Sequence, residues 1–145
     1  MMNQDNQITT QTLLYGFIAE NAHSNRFSVT VNRLFKENGI NAMVIPMNIR
    51  PDDVTFTLSQ MGNSKLNGAL IATEYQEEAL SLLHHASLLA RESGYCDFIR
   101  IVEGNLHGEL LMPIALERFA DTFSEDIALN AMTHYFYDLI TGETK

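Results

Sequence analysis

The stretch NGALIATEYQEEAL, residues 67–80, decides the fold. Its first half, together with Leu66, is short and nearly all apolar, as expected of a strand buried on both faces. Its second half gathers Glu74, Glu77 and Glu78 where a helix N-terminus favours negative charge, worth about 0.3–1 kcal/mol each. A strand whose C-terminal end runs into a helix is the junction at which open α/β sheets place their ligands. This junction carries Ala72, Thr73, Glu74, Tyr75 and Gln76, and no lysine, histidine or cysteine.

Upstream the same alternation repeats. LLYGFIA (Leu13–Ala19) reads as a buried strand, and SNRFSVTVNRLFKENG as a helix. Ser24 or Asn25 can cap that helix, Phe27, Val31, Leu34 and Phe35 share one face, and Gly39 supplies the left-handed stop. AMVIPMNI, residues 42–49, is a second strand, and Pro46 places it at an edge because proline cannot donate to a ladder. PDDVTFTLSQMG opens a helix with Pro51 and two acids, turns Val54, Leu58 and Met61 to one side, and stops at Gly62.

Downstream a long helix is predicted from Glu74 to about Glu92, with Ala79, Leu80, Leu83 and Ser87 on a stripe and Gly94 as stop. CDFIRIVEGNLHGELLM then holds two β-type runs joined by EGN, a hairpin signal. Two helices close the chain. Pro113 starts the first; Ser124 caps the second, with Glu125 and Asp126 in its first turn and Gly142 at its end. The predicted whole is a three-layer α/β/α sandwich with a mostly parallel mixed sheet and C-terminal helices, in one domain after a flexible leader over residues 1–12.

The chain has 145 residues, enough to bury a core, and 46% hydrophobic content argues against disorder. No apolar run approaches the roughly 18 residues of a membrane span, and the start lacks the charge and apolar pattern of a secretory signal. The single cysteine, Cys96, excludes an internal disulfide and reads as a buried thiol of a cytoplasmic protein. Net charge is −9, unevenly spread: residues 1–49 balance three acids with three bases, whereas residues 103–126 hold six acids against Arg118 alone. Such a field repels nucleic acid and anionic lipid and favours a basic partner.

The order of elements and several local words resemble the N-terminal substrate-binding domain of shikimate dehydrogenases. AHS (Ala22–Ser24) follows the first strand where that family opens its shikimate-binding serine motif. NRLFKENGINAMVIPMNI looks like the family's helix, glycine turn and second strand. GALIATEYQ lies over Gly-x-Asn-Val-Thr-x-Pro-x-Lys, and VEGNLHGELL over the hairpin leading to Asn-Thr-Asp. The resemblance spans residues 14–112 and implies that a lysine and an aspartate flank the reacting hydroxyl. Here Gln76 stands at the lysine and Met112 at the aspartate, with Leu70, Ala72 and Glu74 at the asparagine, threonine and proline. An amide cannot exchange a proton near neutral pH, and a thioether neither orients a hydroxyl nor carries charge. No Gly-x-Gly-x-x-Gly turn is present. The expectation is a protein without dehydrogenase activity, catalytic residues, metal or cofactor.

Three readings follow. In the first, the scaffold is an acidic protein-binding module of the immunity type that blocks a basic partner such as a nuclease toxin. Its partner face is then Glu117, Asp121, Glu125 and Asp126, with Tyr135 and Tyr137 as aromatic anchors. In the second, the cleft at the strand ends binds a polyol or carboxylate through His23, Ser24, Asn67, Thr73, Glu74 and Gln76. The third is an enzyme using a His23–Glu74 pair. His84 and His85, adjacent on the predicted long helix, point about 100° apart and make a poor metal pair. His107 reads as a hairpin side chain and His134 as a helix-surface or core histidine.

Overall fold

β1 (Leu13–Ala19) is the spine of the sheet in this computed structural model, which describes residues 8, 9 and 11–142. It pairs in parallel with β2 (Ala42–Asn48) on one side and β3 (Gly68–Ile71) on the other. β3 continues antiparallel to β5 (Phe98–Val102), which forms a hairpin with β6 (Asn105–Glu109). The two-residue β4 (His85–Ala86) lies parallel to β6, so the order is β2-β1-β3-β5-β6-β4. Pro46 sits on an edge strand as predicted, where its missing donor breaks no inner ladder. The hairpin turns on Glu103 and Gly104 with φ of 51° and 81°, both left-handed, as a two-residue hairpin loop requires.

Period-2 alternation sends the strand side chains to two cores. Tyr15, Phe17, Leu70 and Phe98 face α1 (Phe27–Glu37), α5 (Met112–Phe119) and α6 (Ile127–Thr141). Phe136 is the centre of that layer, with ring centroids of Tyr15, Phe98 and Phe27 at 5.3, 5.7 and 5.8 Å. Ile18, Ala69, Ile71 and Ile99 face α2 (Val54–Ser59), α3 (Gln76–Leu80) and α4 (Leu88–Ser93). The result is a helix–sheet–helix sandwich around a mixed sheet.

Five local expectations are corrected. The helix predicted over 74–92 is broken: a 3-10 turn (Thr73–Tyr75) leads into α3, and α4 starts separately. Between them His84 donates its N–H to Leu106 O and accepts the Leu106 N–H on Nδ1, drawing residues 85 and 86 into the sheet beside β6. Ser87, expected on the helix stripe, instead caps α4 by accepting the Ala90 N–H. Ser124 does not cap α6; Asp126, in the left-handed region at φ 45°, is the residue before its first turn. Most of the leader, residues 1–7 and 10, lies outside the described residues, but Thr12 is buried and its hydroxyl bonds Asn41 Oδ1 at 2.9 Å, so the leader does not run to 12. Tyr135 is also buried, which removes it as an exposed anchor.

Candidate functional site

The parallel strands β1 and β3 end side by side, and because β5 and β6 form an antiparallel hairpin, the start of β5 and the end of β6 come to the same edge. Above this edge, residues of α1, α5 and α6 near their N-terminal ends line a cleft of about 990 Å3. Its floor is Phe17 and Leu70, Ile71 lines it at the strand end, and Phe27, Leu129 and Met132 form the helix-side wall. The polar groups lining it are Asn25, Thr73, Glu74, Gln76, Glu77, Tyr95 and Asp97. A second hollow of about 700 Å3 adjoins it, sharing Phe17, Asn25, Ala72 and Glu74 and adding Glu20, Asn21 and Ser24.

Asp97 is the group that reading the sequence missed. It is 5% exposed, yet it lines the cleft. Oδ1 accepts the Leu111 N–H at 2.7 Å and Oδ2 the Met112 N–H at 2.9 Å. These are among the unpaired donors at the start of α5, whose own preceding residue supplies no side-chain cap. A carboxylate from the neighbouring strand therefore caps α5 across space. Burial pushes the Asp97 carboxyl above the usual carboxylate range; the two backbone donors pull the other way, and nearby Glu109 adds to the rise. The signal in the sequence was a lone acid between Cys96 and Phe98, at the mouth of a buried apolar strand. Cys96 itself is buried, its thiol pushed up to about 12 by desolvation, which leaves it unreactive.

The residues proposed for the cleft separate. Thr73, Glu74 and Gln76 line it, and Ser24 lines the adjoining hollow, its hydroxyl donating to Asn21 O at 3.0 Å. The Gln76 amide donates to Ile71 O at 2.8 Å, and Glu74 accepts the Glu20 N–H at 2.9 Å. Asn67 precedes β3 and so lies at the opposite end of the sheet, where its Oδ1 accepts the Leu14 N–H; it is a strand clamp rather than a cleft residue. His23 is exposed and lines neither hollow, so the His23–Glu74 pair is not assembled there. Asn25, expected as a cap, accepts the Phe27 N–H and lines the cleft as well.

The other groups lie elsewhere. His85 is on β4 rather than on a helix, and its ring stacks on His107 at 4.6 Å. His134 is half-buried against Phe123 and Phe119. On the acidic face Glu117, Asp121 and Glu125 are exposed, but Asp126 pairs with Arg26 at 2.9 Å and Glu109 with Arg100 at 3.0 Å. Tyr137 is half-buried and stacks on Phe35. Among the described residues no helix is long and apolar enough to cross a membrane, and no three His, Cys, Asp or Glu side chains are grouped for a metal.

No family model matches the chain. It is 26% identical over 101 residues to the shikimate dehydrogenase (NADP(+)) of Aquifex aeolicus, covering 70% of this chain and 38% of that protein. It is 25% identical over 118 residues to the enzyme of the same name from Pyrococcus furiosus, covering 81% and 43%. The solved Aquifex aeolicus shikimate dehydrogenase superposes with a TM-score of 0.72 at 23% identity, over 81% of this chain and 44% of that one. The Listeria monocytogenes shikimate 5-dehydrogenase, solved with shikimate and NAD, gives 0.72 at 17% identity over 80% and 40%. A 5-ketofructose reductase from Gluconobacter gives 0.70 at 17% identity over 79% and 41%. The resemblance to shikimate dehydrogenases thus holds in sequence and in fold, and the chain spans less than half the length of the curated relatives it matches.

Proposed function

We propose that this chain is a non-catalytic small-molecule-binding domain on a shikimate-dehydrogenase-like scaffold. The observation that carries the reading is the cleft at the C-terminal ends of β1 and β3, about 990 Å3, apolar in its floor and helix wall with a few convergent polar groups. The same place argues against proton transfer of the resembled kind. Gln76 has its amide nitrogen committed to Ile71 O, and Met112 presents a thioether where an aspartate is expected. The test is a fragment screen by ligand-observed NMR and thermal shift on the wild type and on Ala128→Trp. Ala128 is exposed and lines the cleft, so a large ring there blocks it without entering the core. Ligands that respond to the wild type alone support the reading; hits indifferent to the substitution defeat it.

A second reading keeps the acidic protein partner, plausible physically because Glu117, Asp121 and Glu125 are exposed in and after α5. It needs a basic partner, of the toxin or another class, and loses Tyr135 to the core and Asp126 to Arg26. Pull-down followed by association kinetics of the charge-reversed protein distinguishes it from cleft binding, which those surface acids do not touch.

A further inference from the structure

The cleft has a definite hydrogen-bonding sense. Among the described residues, three of its seven polar lining residues are acids, Glu74, Glu77 and Asp97, and no lysine, arginine or histidine lines it. Among the two amides, Gln76 spends one of its two N–H donors on Ile71 O and Asn25 Oδ1 accepts the Phe27 N–H, so the charge of the lining is set by the acids alone. Two of the carboxylates, Glu74 and Glu77, line it from the 3-10 turn and the start of α3, and the third, Asp97 just before β5, lines it with both oxygens already accepting α5 N–H groups. Phe17, Phe27 and Tyr95 also line it, aromatic side chains against which an apolar ligand body can pack.

Resting on the cleft reading above, we propose that this site selects an organic cation: a protonated amine on an aromatic or aliphatic body, its N–H groups donated to the acids and its body against the rings. An anionic ligand would meet three like charges in a partly desolvated space and find no cation to answer it. A neutral polyol meets acceptors but gains no charge pairing. The site therefore ranks ligands by charge, cation over neutral over anion. Such a ranking is the reverse of what a carboxylate-binding cleft would give.

The experiment is calorimetry and thermal shift with three ligands of one shape: tyramine (cation), tyrosol (neutral) and 4-hydroxyphenylacetate (anion). Tyramine is expected to bind at least about tenfold tighter than tyrosol, with 4-hydroxyphenylacetate weakest. Glu77→Gln, at an exposed position that leaves the fold intact, narrows the tyramine–tyrosol ratio, and Asp97→Asn narrows it further where that variant folds. Tyrosol or 4-hydroxyphenylacetate binding as tightly as tyramine, abolished by Ala128→Trp, overturns the charge selection and leaves the cleft reading standing. Silence from all three, with other fragments still held in the cleft, also overturns the selection. A library that gives no cleft ligand at all defeats both.

Discussion

Asp97→Asn should destabilise the fold at acid pH and become progressively less costly as pH rises. The carboxyl accepts one backbone N–H on each oxygen, from Leu111 and Met112, at the start of α5. Asparagine keeps one acceptor and turns an NH2 group toward the other donor, leaving a buried N–H unsatisfied at a cost of about 1–3 kcal/mol. For a chain of this length each kcal/mol moves Tm by about 2–4 °C, so the variant should melt roughly 2–12 °C lower near pH 4–5. Against this stands the charge itself. Burial raises the Asp97 carboxyl pKa in the fold above that in the unfolded chain. Between the two values the folded state binds more protons, so this group's contribution is full below the unfolded pKa and is lost as pH climbs through the folded one.

Asparagine has no charge to desolvate and escapes that loss, so the gap between wild type and variant narrows toward neutral pH by about 1.4 kcal/mol for each unit of elevation. Asp97→Ala strips both acceptors and costs more, about 2–5 kcal/mol. Differential scanning calorimetry of the three proteins from pH 4 to 8 measures the gap directly, and the shared titration of the other carboxylates cancels in the difference. A gap that widens toward neutral would mean that the two α5 donors outweigh burial, and the account of Asp97 as a desolvated, net costly charge would be wrong.

Three further outcomes are expected. Gly62→Ala forces a Cβ into the Gly104 carbonyl oxygen of the hairpin turn, a backbone atom that cannot swing aside, and should cost about 1–3 kcal/mol in urea unfolding with an unchanged slope. Purified protein with shikimate and either nicotinamide cofactor should give no absorbance change, Gln76→Lys should not create one, and shikimate should give no calorimetric signal at millimolar concentration. Turnover by the wild type would remove the non-catalytic reading. Reversing Glu117, Asp121 and Glu125 together should leave Tm within about 2 °C, because exposed acids carry little folding energy, while slowing association with any cationic partner in a salt-sensitive way.

The parts of the fold that were legible in the sequence rest on local chemistry. Pro46 marks an edge wherever it stands, EGN marks a hairpin because Gly104 takes positive φ without strain, and the apolar run over Gly68–Ile71 is buried on both faces. The break in the helix over residues 74–92 was not legible, because Ala79, Leu80 and Leu83 keep a helical spacing up to it. What ends α3 is a long-range event: His84 exchanges two hydrogen bonds with Leu106, more than twenty residues on, and Leu83 packs into the space that Gly108 leaves. The site divides in the same way. Thr73, Glu74 and Gln76 belong to the junction that the βα pattern exposes. Asp97 enters only because β5 runs antiparallel and brings its first residues to the end of β3, a fact of topology that no spacing records.

The same distinction reorders the charge. Along the chain the acids concentrate at residues 103–126, but in the fold that stretch is answered from outside itself. Arg26, from the balanced first third, pairs with Asp126, and Arg100 pairs with Glu109. Arg118 stays within the stretch, over the Tyr135 ring at 5.3 Å. Meanwhile Glu74 and Glu77, clustered in the sequence, and Asp97, distant from them in it, line one concavity that has no base among its described lining residues. Charges on a convex, solvated surface are screened within about 8–10 Å at physiological salt, whereas a cleft with low-dielectric walls concentrates the field between them. With the protein at net −9, the field that a diffusing cation meets is therefore best focused at the cleft rather than over the acidic stretch. On the proposal made above, this distribution of charge ranks a small cation in the cleft ahead of a basic protein on the acidic stretch.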